Sequence, residues 1–391
     1  MWKIALYLGL SQLLCWGITY YMIGSLGEWM IADLGWSRSF IYGGFSVALV
    51  VMGLSSSFIG RLFDRYGGRK MMTFGSMFMA ASLAGMALVH SIPTYLLSWI
   101  CLGIAMRFTL YDAAFASIAH IGGKNAGRLM SQVTLLGGLA STVFWPVGYL
   151  LAEHFGWRGT LFIYAVVALL TVPLHLALPN PRPNVVETSV TREETLAQPA
   201  TPQRHQLMAG ILYSLIVTMT NFLNSGISAH IIGILSGLGL AASVTIWITT
   251  LRGIGQSLAR LGEVLFGARL HPVNLNMMAA AVMPLCFLVG LASGQFVLAA
   301  ISFSFFYGAS NGLLTITRGT LPLVLFNSMM YGSIVGKLIT PSFFLSAAAP
   351  LLFSVVIEKF GASASLYFAA AIAFITLGAS IWLKWIYKFF F

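Results

Sequence analysis

Two charges stand five residues apart in the stretch GIAMRFTLYDAAF (103–115), which otherwise reads as an oily helix. Arg107 offers a planar fork that pairs with a carboxylate or phosphate through two hydrogen bonds, and Asp112 offers a group that can take up and release a proton. Two further cations interrupt other apolar runs, Arg252 close to the middle of its run and Lys337 in the first half of another. A charge at the centre of a bilayer costs roughly 2.5–3.5 kcal/mol on insertion scales, so such side chains face protein or water rather than lipid. Were the three cations to share one cavity with that carboxylate, it would attract an anion and repel a cation. The chemistry within reach is therefore binding of a small anionic solute, with Asp112 carrying a proton; the structural alternative is a buried ion pair with a neighbouring helix. On an unbroken helix, five residues leave Arg107 and Asp112 ~140° apart, so each is expected to need its own partner.

Other apolar runs carry polar residues at helical spacing. Gln12, Trp16 and Tyr20 recur every four residues, with Tyr21 beside them; Thr218, Asn221, Ser225 and Ser228 align on a second run. Arg252, Gln256, Arg260 and Glu263 mark a third, and Tyr307, Asn311, Thr315 and Arg318 a fourth. Such stripes belong against a wet interior or, for the Asn, Ser and Thr members, in hydrogen bonds between helices. Arg107, Arg252, Lys337, Trp16, Tyr20, Tyr111, Asn221, Gln256, Tyr307 and Asn311 form the expected binding set. Trp16, Tyr20, Trp145, Trp247 and Tyr307 could wall a cavity or simply pack. Pro146, Pro341 and Pro350 could serve as bending points or as plain kinks. The histidines are scattered, and no phosphate-binding loop, zinc spacing or nucleophile elbow occurs, so neither an enzyme nor a metal or cofactor is expected.

The elements that must position these groups follow from composition. Of 391 residues 58% are hydrophobic and only 8% charged, against roughly a quarter charged in soluble domains. Apolar runs recur at 4–27, 40–59, 72–89, 95–119, 129–152, 161–178, 207–235, 241–266, 277–291, 296–314, 331–357 and 364–385. They predict an all-α membrane protein with about twelve transmembrane helices, each near the ~30 Å of a bilayer core. A β-barrel is excluded because the runs are too long and do not alternate. Residues 1–27 lack a small-residue cleavage pattern and read as a first membrane helix, with the mature chain starting at Met1. Cys15, Cys101 and Cys286 lie in apolar runs, too dispersed for a disulfide framework.

The net charge of +11 is a matter of topology. With the N-terminus cytoplasmic, that side collects Lys3, Arg61, Arg65, Arg69, Lys70, Lys124, Arg128, Arg182, Arg192, Arg204, Arg260, Arg269, Arg318, Lys384 and Lys388, against Arg38, Arg158 and Lys359 opposite. Both termini are expected inside, with the excess charge facing anionic lipid rather than nucleic acid.

Between the sixth and seventh runs, PNPRPNVVETSVTREETLAQPATPQRHQ has no apolar periodicity and reads as a cytoplasmic linker, 179–206, between six-helix bundles at 1–178 and 207–391. The halves echo each other at an offset of about 205: GYLLAEHFGWRGTLFIYAVVA answers SVVIEKFGASASLYFAAAIA, placing Glu153 against Glu358 and Gly156 against Gly361, and LGWSRSFIYGG echoes LGLAASVTIWI. Two homologous halves of this kind are the architecture of a secondary transporter, its site near the midplane between them.

After the second run comes GRLFDRYGGRK, which resembles the loop signature between helices two and three of the major facilitator superfamily: Gly60, Asp64, Arg65, Gly67, Arg69 and Lys70 occupy its pattern, with Gly68 between Gly67 and Arg69. The resemblance implies that Gly60 permits close packing and that Asp64, with Arg65, Gly67 and Arg69, forms a conformational lock. The second half departs from it: EVLFGARLHP has Ala268 where an aspartate would stand, so a lock there must use other groups such as Glu263 with Arg260 or Arg269. LGWSRSFIYGGFSVAL and GRLFDRYGGRK together look most like bacterial monocarboxylate or oxalate/formate members. The superfamily resemblance implies a helix arrangement in which Arg107, Arg252 and Lys337 converge from the fourth, eighth and eleventh helices, and the branch likeness implies that Arg252 and Lys337 meet the substrate's carboxylates.

The expectation is thus a monomeric inner-membrane carrier, both termini cytoplasmic, moving a small carboxylate-type anion by alternating access with proton coupling through Asp112. The alternatives are export of a larger amphipathic compound, such as a siderophore or drug, and a non-transporting sensor of the same ligand.

Overall fold

The structure, a computed structural model, describes residues 2–179, 203–266 and 270–390. Most of the expected linker, with Arg182 and Arg192, lies outside the described residues, as do Ala268 and Arg269 and the side chains of Arg38, Trp145 and Arg204.

The described chain is helical: α1 (Trp2–Cys15), a π-helical turn (Trp16–Tyr20), α2 (Met22–Leu34), α3 (Arg38–Tyr66), α4 (Gly68–Ala87), α5 (Ile92–Thr109), α6 (Tyr111–Ile121), α7 (Ala126–Gly137) and α8 (Ala140–Leu176) come first. Then follow α9 (Gln203–Gly237), α10 (Ala242–Phe266), α11 (Pro272–Gly290), α12 (Val297–Leu325), α13 (Tyr331–Leu338), α14 (Thr340–Phe360) and α15 (Ala362–Phe390). Nine stretches among the described residues are each long and apolar enough to cross a bilayer. α4 and α10, with charges that lower their hydropathy, add two crossings, and the break at Gly156 divides Ala126–Leu176 into two. Twelve crossings result, arranged as two six-helix bundles.

The halves share their turning points. Gly156 (φ 67°, ψ 170°) and Gly361 (φ 86°, ψ 172°) adopt the same left-handed extended conformation at the positions that the sequence repeat pairs. A side chain is strained there, so glycine ends the fifth and eleventh crossings alike. Within the first half α4 packs on α8 and α5, and α3 on α5; within the second, α12 packs on α10 and α11, and α9 on α14 and α15. The halves meet through α3 against α13 and α14, and through α7 against α12 and α10.

One local departure shapes everything that follows. Leu110 is extended (φ −81°, ψ −172°), so the fourth crossing is two helices, α5 and α6, rather than one. The ~140° separation expected for Arg107 and Asp112 assumes an unbroken helix, and the break cancels it. The eleventh crossing is divided too: α13 ends at Leu338 and α14 begins at Thr340 with Pro341 in its first turn, where a missing N–H costs nothing.

Candidate functional site

Because α6 restarts after Leu110, Asp112 falls in its first turn, where free backbone N–H groups favour a carboxylate. Both carboxylate oxygens accept from Arg318 Nη2 of α12, at 2.6 and 2.9 Å. Arg107 Nη1 stands 3.4 Å from Asp112 Oδ2, so the two charges of the RFTLYD stretch share a partner instead of each finding its own. Arg107 Nε also donates to Ser56 Oγ (3.1 Å), and Ser56 Oγ donates to the Gly336 carbonyl (2.7 Å). A continuous polar chain thus runs from α13 through α3, α5 and α6 to α12, crossing between the halves twice. Arg107 is 4% exposed, Asp112 8% and Arg318 17%. Removing one member of such a buried set leaves its partner uncompensated, at a cost of about 3–5 kcal/mol.

Asp112 and Arg318 form part of the wall of a cavity between the halves that encloses ≈ 910 Å³, its open mouth included. The first half contributes Trp16, Tyr20, Tyr21, Tyr111, Gly137 and Gly138; the second contributes Asn221, Asn224, Gln256, Arg260, Asn311 and Thr315. The π-helical turn carries Trp16 and Tyr20, whose rings lie 4.7 Å apart, with Tyr111 5.0 Å from Trp16. Gln12 anchors that helix by donating to the Thr109 carbonyl (2.7 Å) next to the break. Arg260, 2% exposed, donates from Nη1 to the Thr134 carbonyl of α7 at 3.0 Å.

The structure therefore brings together only part of the expected set. Trp16, Tyr20, Tyr111, Asn221, Gln256 and Asn311 line the cavity. Arg107 is buried behind Asp112. Arg252 stands behind Asn224, donating to Asn224 Oδ1 (2.6 Å) while Asn311 Nδ2 donates to the same atom (3.0 Å), and its guanidinium lies over the buried Tyr307 ring at 5.3 Å. The expected convergence of Arg107, Arg252 and Lys337 is corrected. Lys337 is exposed, because Gly332 and Gly336, one turn apart, take the face of α13 against α3, and the next residue is rotated ~100° away. Trp247 is 76% exposed and walls nothing. The cavity's cations are Arg318 and Arg260, which charge counting had assigned to the cytoplasmic surface. Their place in stripes with Asn311 and Gln256 was the signal that could have found them. In the seventh crossing the polar stripe binds helix to helix: Asn221 donates to Ser342 Oγ and Ser225 to the Ser346 carbonyl.

At the Gly67 end the halves are joined by two seams. In the first, Asp64 Oδ1 and Oδ2 accept from the N–H groups of Gly332 (2.9 Å) and Ser333 (2.7 Å) at the start of α13, and His120 Nε2 lies 3.3 Å from Asp64. A Cβ on Gly60 would overlap the Gly332 carbonyl. Gly67 turns the chain at φ 78°, while Arg65 is exposed over the neighbouring Tyr66 ring and Arg69 is half-buried. In the second seam Arg260 and Glu263 do not pair with each other: Arg260 reaches Thr134 and Glu263 faces Ser131, both on α7.

Comparison with known proteins places this arrangement. A region of 124 residues is 32% identical to the multidrug resistance protein MdtG of Dickeya zeae (strain Ech586), covering 32% of this chain; the chain thus spans about 30% of the length of that curated relative. Among solved structures, the proton:xylose symporter XylE bound to 6-bromo-6-deoxy-D-glucose superposes with a TM-score of 0.76 at 17% identity, over 99% of this chain and 95% of that one. The human organic anion transporter MFSD10 (TETRAN) gives 0.69 at 16% identity, over 97% and 99%. At such identities the likeness is one of fold. The sequence family described as the Major Facilitator Superfamily matches residues 8–336, and this chain belongs to it.

Proposed function

We propose that the chain is a secondary transporter of a small organic anion of the carboxylate type, driven by proton movement through Asp112. The observation that carries this reading is the charge of the site: one carboxylate, Asp112, stands against Arg107 and Arg318, while Arg260 lines the same cavity. An interior with surplus guanidinium charge favours an anion, and the planar fork suits a carboxylate. Protonating Asp112 removes the counter-charge of Arg318, which links proton uptake to the availability of that cation and to the joint between the halves. The seams at the Gly67 end close one side of the cavity. With both termini cytoplasmic, as the charge asymmetry of the loops supports, this is the outward-facing arrangement of a bacterial-type inner-membrane monomer. Bundles at 1–178 and 207–391 would rock about it, joined by a linker at 179–206, with lipid against the outer faces. Gly60, Asp64, Arg65, Gly67 and Arg69 act as the lock on this reading.

Uptake into proteoliposomes tests it: radiolabelled lactate and oxalate should accumulate under an inward proton gradient and compete with other carboxylates but not with organic cations. Accumulation inhibited by cations alone contradicts it. A second reading, export of a larger amphipathic compound, is favoured by the partial likeness to MdtG and by the aromatic wall of Trp16, Tyr20 and Tyr111. It predicts competition by bulky drugs instead. A sensor without transport activity would bind ligand and accumulate nothing.

A further inference from the structure

We infer that the anion is an aromatic monocarboxylate, its ring on the Trp16–Tyr111 face of the first half and its carboxylate on Arg260 of the second; this rests on the anion reading above. The cavity is divided in chemistry as it is in domains. From the first half it presents rings: Trp16 touches Tyr20, Tyr111 and Tyr21 at centroid distances of 4.7, 5.0 and 6.1 Å. These rings stand there because the chain makes a π-helical turn over Trp16–Tyr20, an insertion that helices keep mostly where function requires it. Trp16 Nε1 is buried at this wall and has no hydrogen-bond partner among the described residues, although a buried indole N–H ordinarily finds one.

From the second half the cavity presents, among the described residues, one cation with no carboxylate against it. Arg318 is held by the Asp112 carboxylate and Arg252 by Asn224 Oδ1, whereas Arg260, 2% exposed, meets only neutral groups among the described residues, the Thr134 carbonyl and the Tyr111 hydroxyl, and its Nε, like that of Arg318, has no hydrogen-bond partner there. Gly138 leaves the space its guanidinium needs, since a Cβ there would overlap Arg260 Nη1. The ring wall and this cation meet beside one carbonyl: the Tyr111 hydroxyl donates to the Thr134 carbonyl (3.4 Å), as Arg260 does (3.0 Å), and Tyr111 and Arg260 also face each other directly. A planar ring bearing one carboxylate fits that juxtaposition, stacking offset on Trp16 while its anion takes the open donor of Arg260. One open guanidinium calls for one carboxylate. A ligand held this way touches both halves at once, so that occupancy is sensed across the interface.

Equilibrium binding to the purified full-length protein, with benzoate, cyclohexanecarboxylate, acetate and benzylamine as probes, tests the assignment. Benzoate should bind about tenfold or more tighter than acetate, with cyclohexanecarboxylate between them and benzylamine unbound. Trp16→Leu should weaken benzoate by about tenfold while acetate changes less than about twofold, and Trp16→Phe should restore most of the loss. Should Trp16→Leu not fold, Tyr20→Leu makes the same comparison. Acetate binding as tightly as benzoate, or an equal loss of both in the leucine variant, overturns the ring assignment and leaves the anion reading standing. Benzylamine bound with no carboxylate bound overturns the anion reading itself.

Discussion

Where α3 meets α13, the halves touch through their backbones: Gly60 lies against the Gly332 carbonyl, Ser56 donates to the Gly336 carbonyl, and Asp64 accepts two N–H groups. Where α7 meets α10, contact runs through long charged side chains, Arg260 on the Thr134 carbonyl and Glu263 on Ser131. The two seams occupy equivalent places in a repeated architecture, yet only the second includes a residue of the cavity wall, Arg260. Neither Gly60 nor Asp64 lines the cavity. On the proposed reading the first seam sets how often the Gly67 end is closed, and the second couples that closure to the ligand.

Substitutions can break this contrast. The largest effect is expected from Gly60→Val, because the new side chain would meet main-chain atoms of α13 that have nowhere to go. Overpacking of this kind costs about 1–3 kcal/mol, a shift of ~5–150-fold in the closed population. A cysteine at Val335 of α13, 3% exposed here, should become reactive from the Gly67 side, and transport should fall with it, while binding of a carboxylate stays within about twofold of wild type. Asp64→Asn comes next: it keeps the shape but loses the charge on two N–H groups and on His120, worth ~1–2 kcal/mol, or about tenfold in the same labelling assay. Glu263→Gln, its counterpart on the second seam, should move the labelling by less than about twofold, and an equal response from the two would erase the distinction between seams. Arg252→Lys and Lys337→Gln should be smallest, with affinity for a carboxylate changed less than about threefold, since one cation is engaged with Asn224 and the other is exposed. A tenfold loss from either, read by equilibrium binding, would return it to the site.

The helical crossings, the repeat that pairs Gly156 with Gly361, and the placing of Asn221, Gln256 and Asn311 along the cavity were legible in the sequence, since apolar length and the 3.6-residue period survive folding there, whereas Trp16 and Tyr20 reach the same wall through a π-helical turn that departs from that period. What was not legible depended on one torsion. Nothing in MRFTLYD marks Leu110 as extended, and helical geometry applied across it separates Arg107 from Asp112 when the fold joins them. Arg260 and Arg318 were hidden for a different reason. Counting charges along a run locates a residue by depth, and near a helix end depth alone does not tell a side chain aimed at headgroups from one turned inward to a carboxylate or a carbonyl. Lys337 shows the converse: one step past Gly336 along α13 was enough to turn it away from the interface.

The central claim is that Asp112 carries the coupling proton while Arg318 and Arg260 handle the anion. Asp112→Asn, reconstituted in proteoliposomes, tests it most directly when proton-driven accumulation and anion-for-anion exchange are measured on the same vesicles. A folded variant, verified by its melting temperature because two guanidinium groups lose their counter-charge, should lose accumulation under a pH gradient and retain exchange, which needs no net proton movement. Accumulation at the wild-type level by the folded variant would contradict the account.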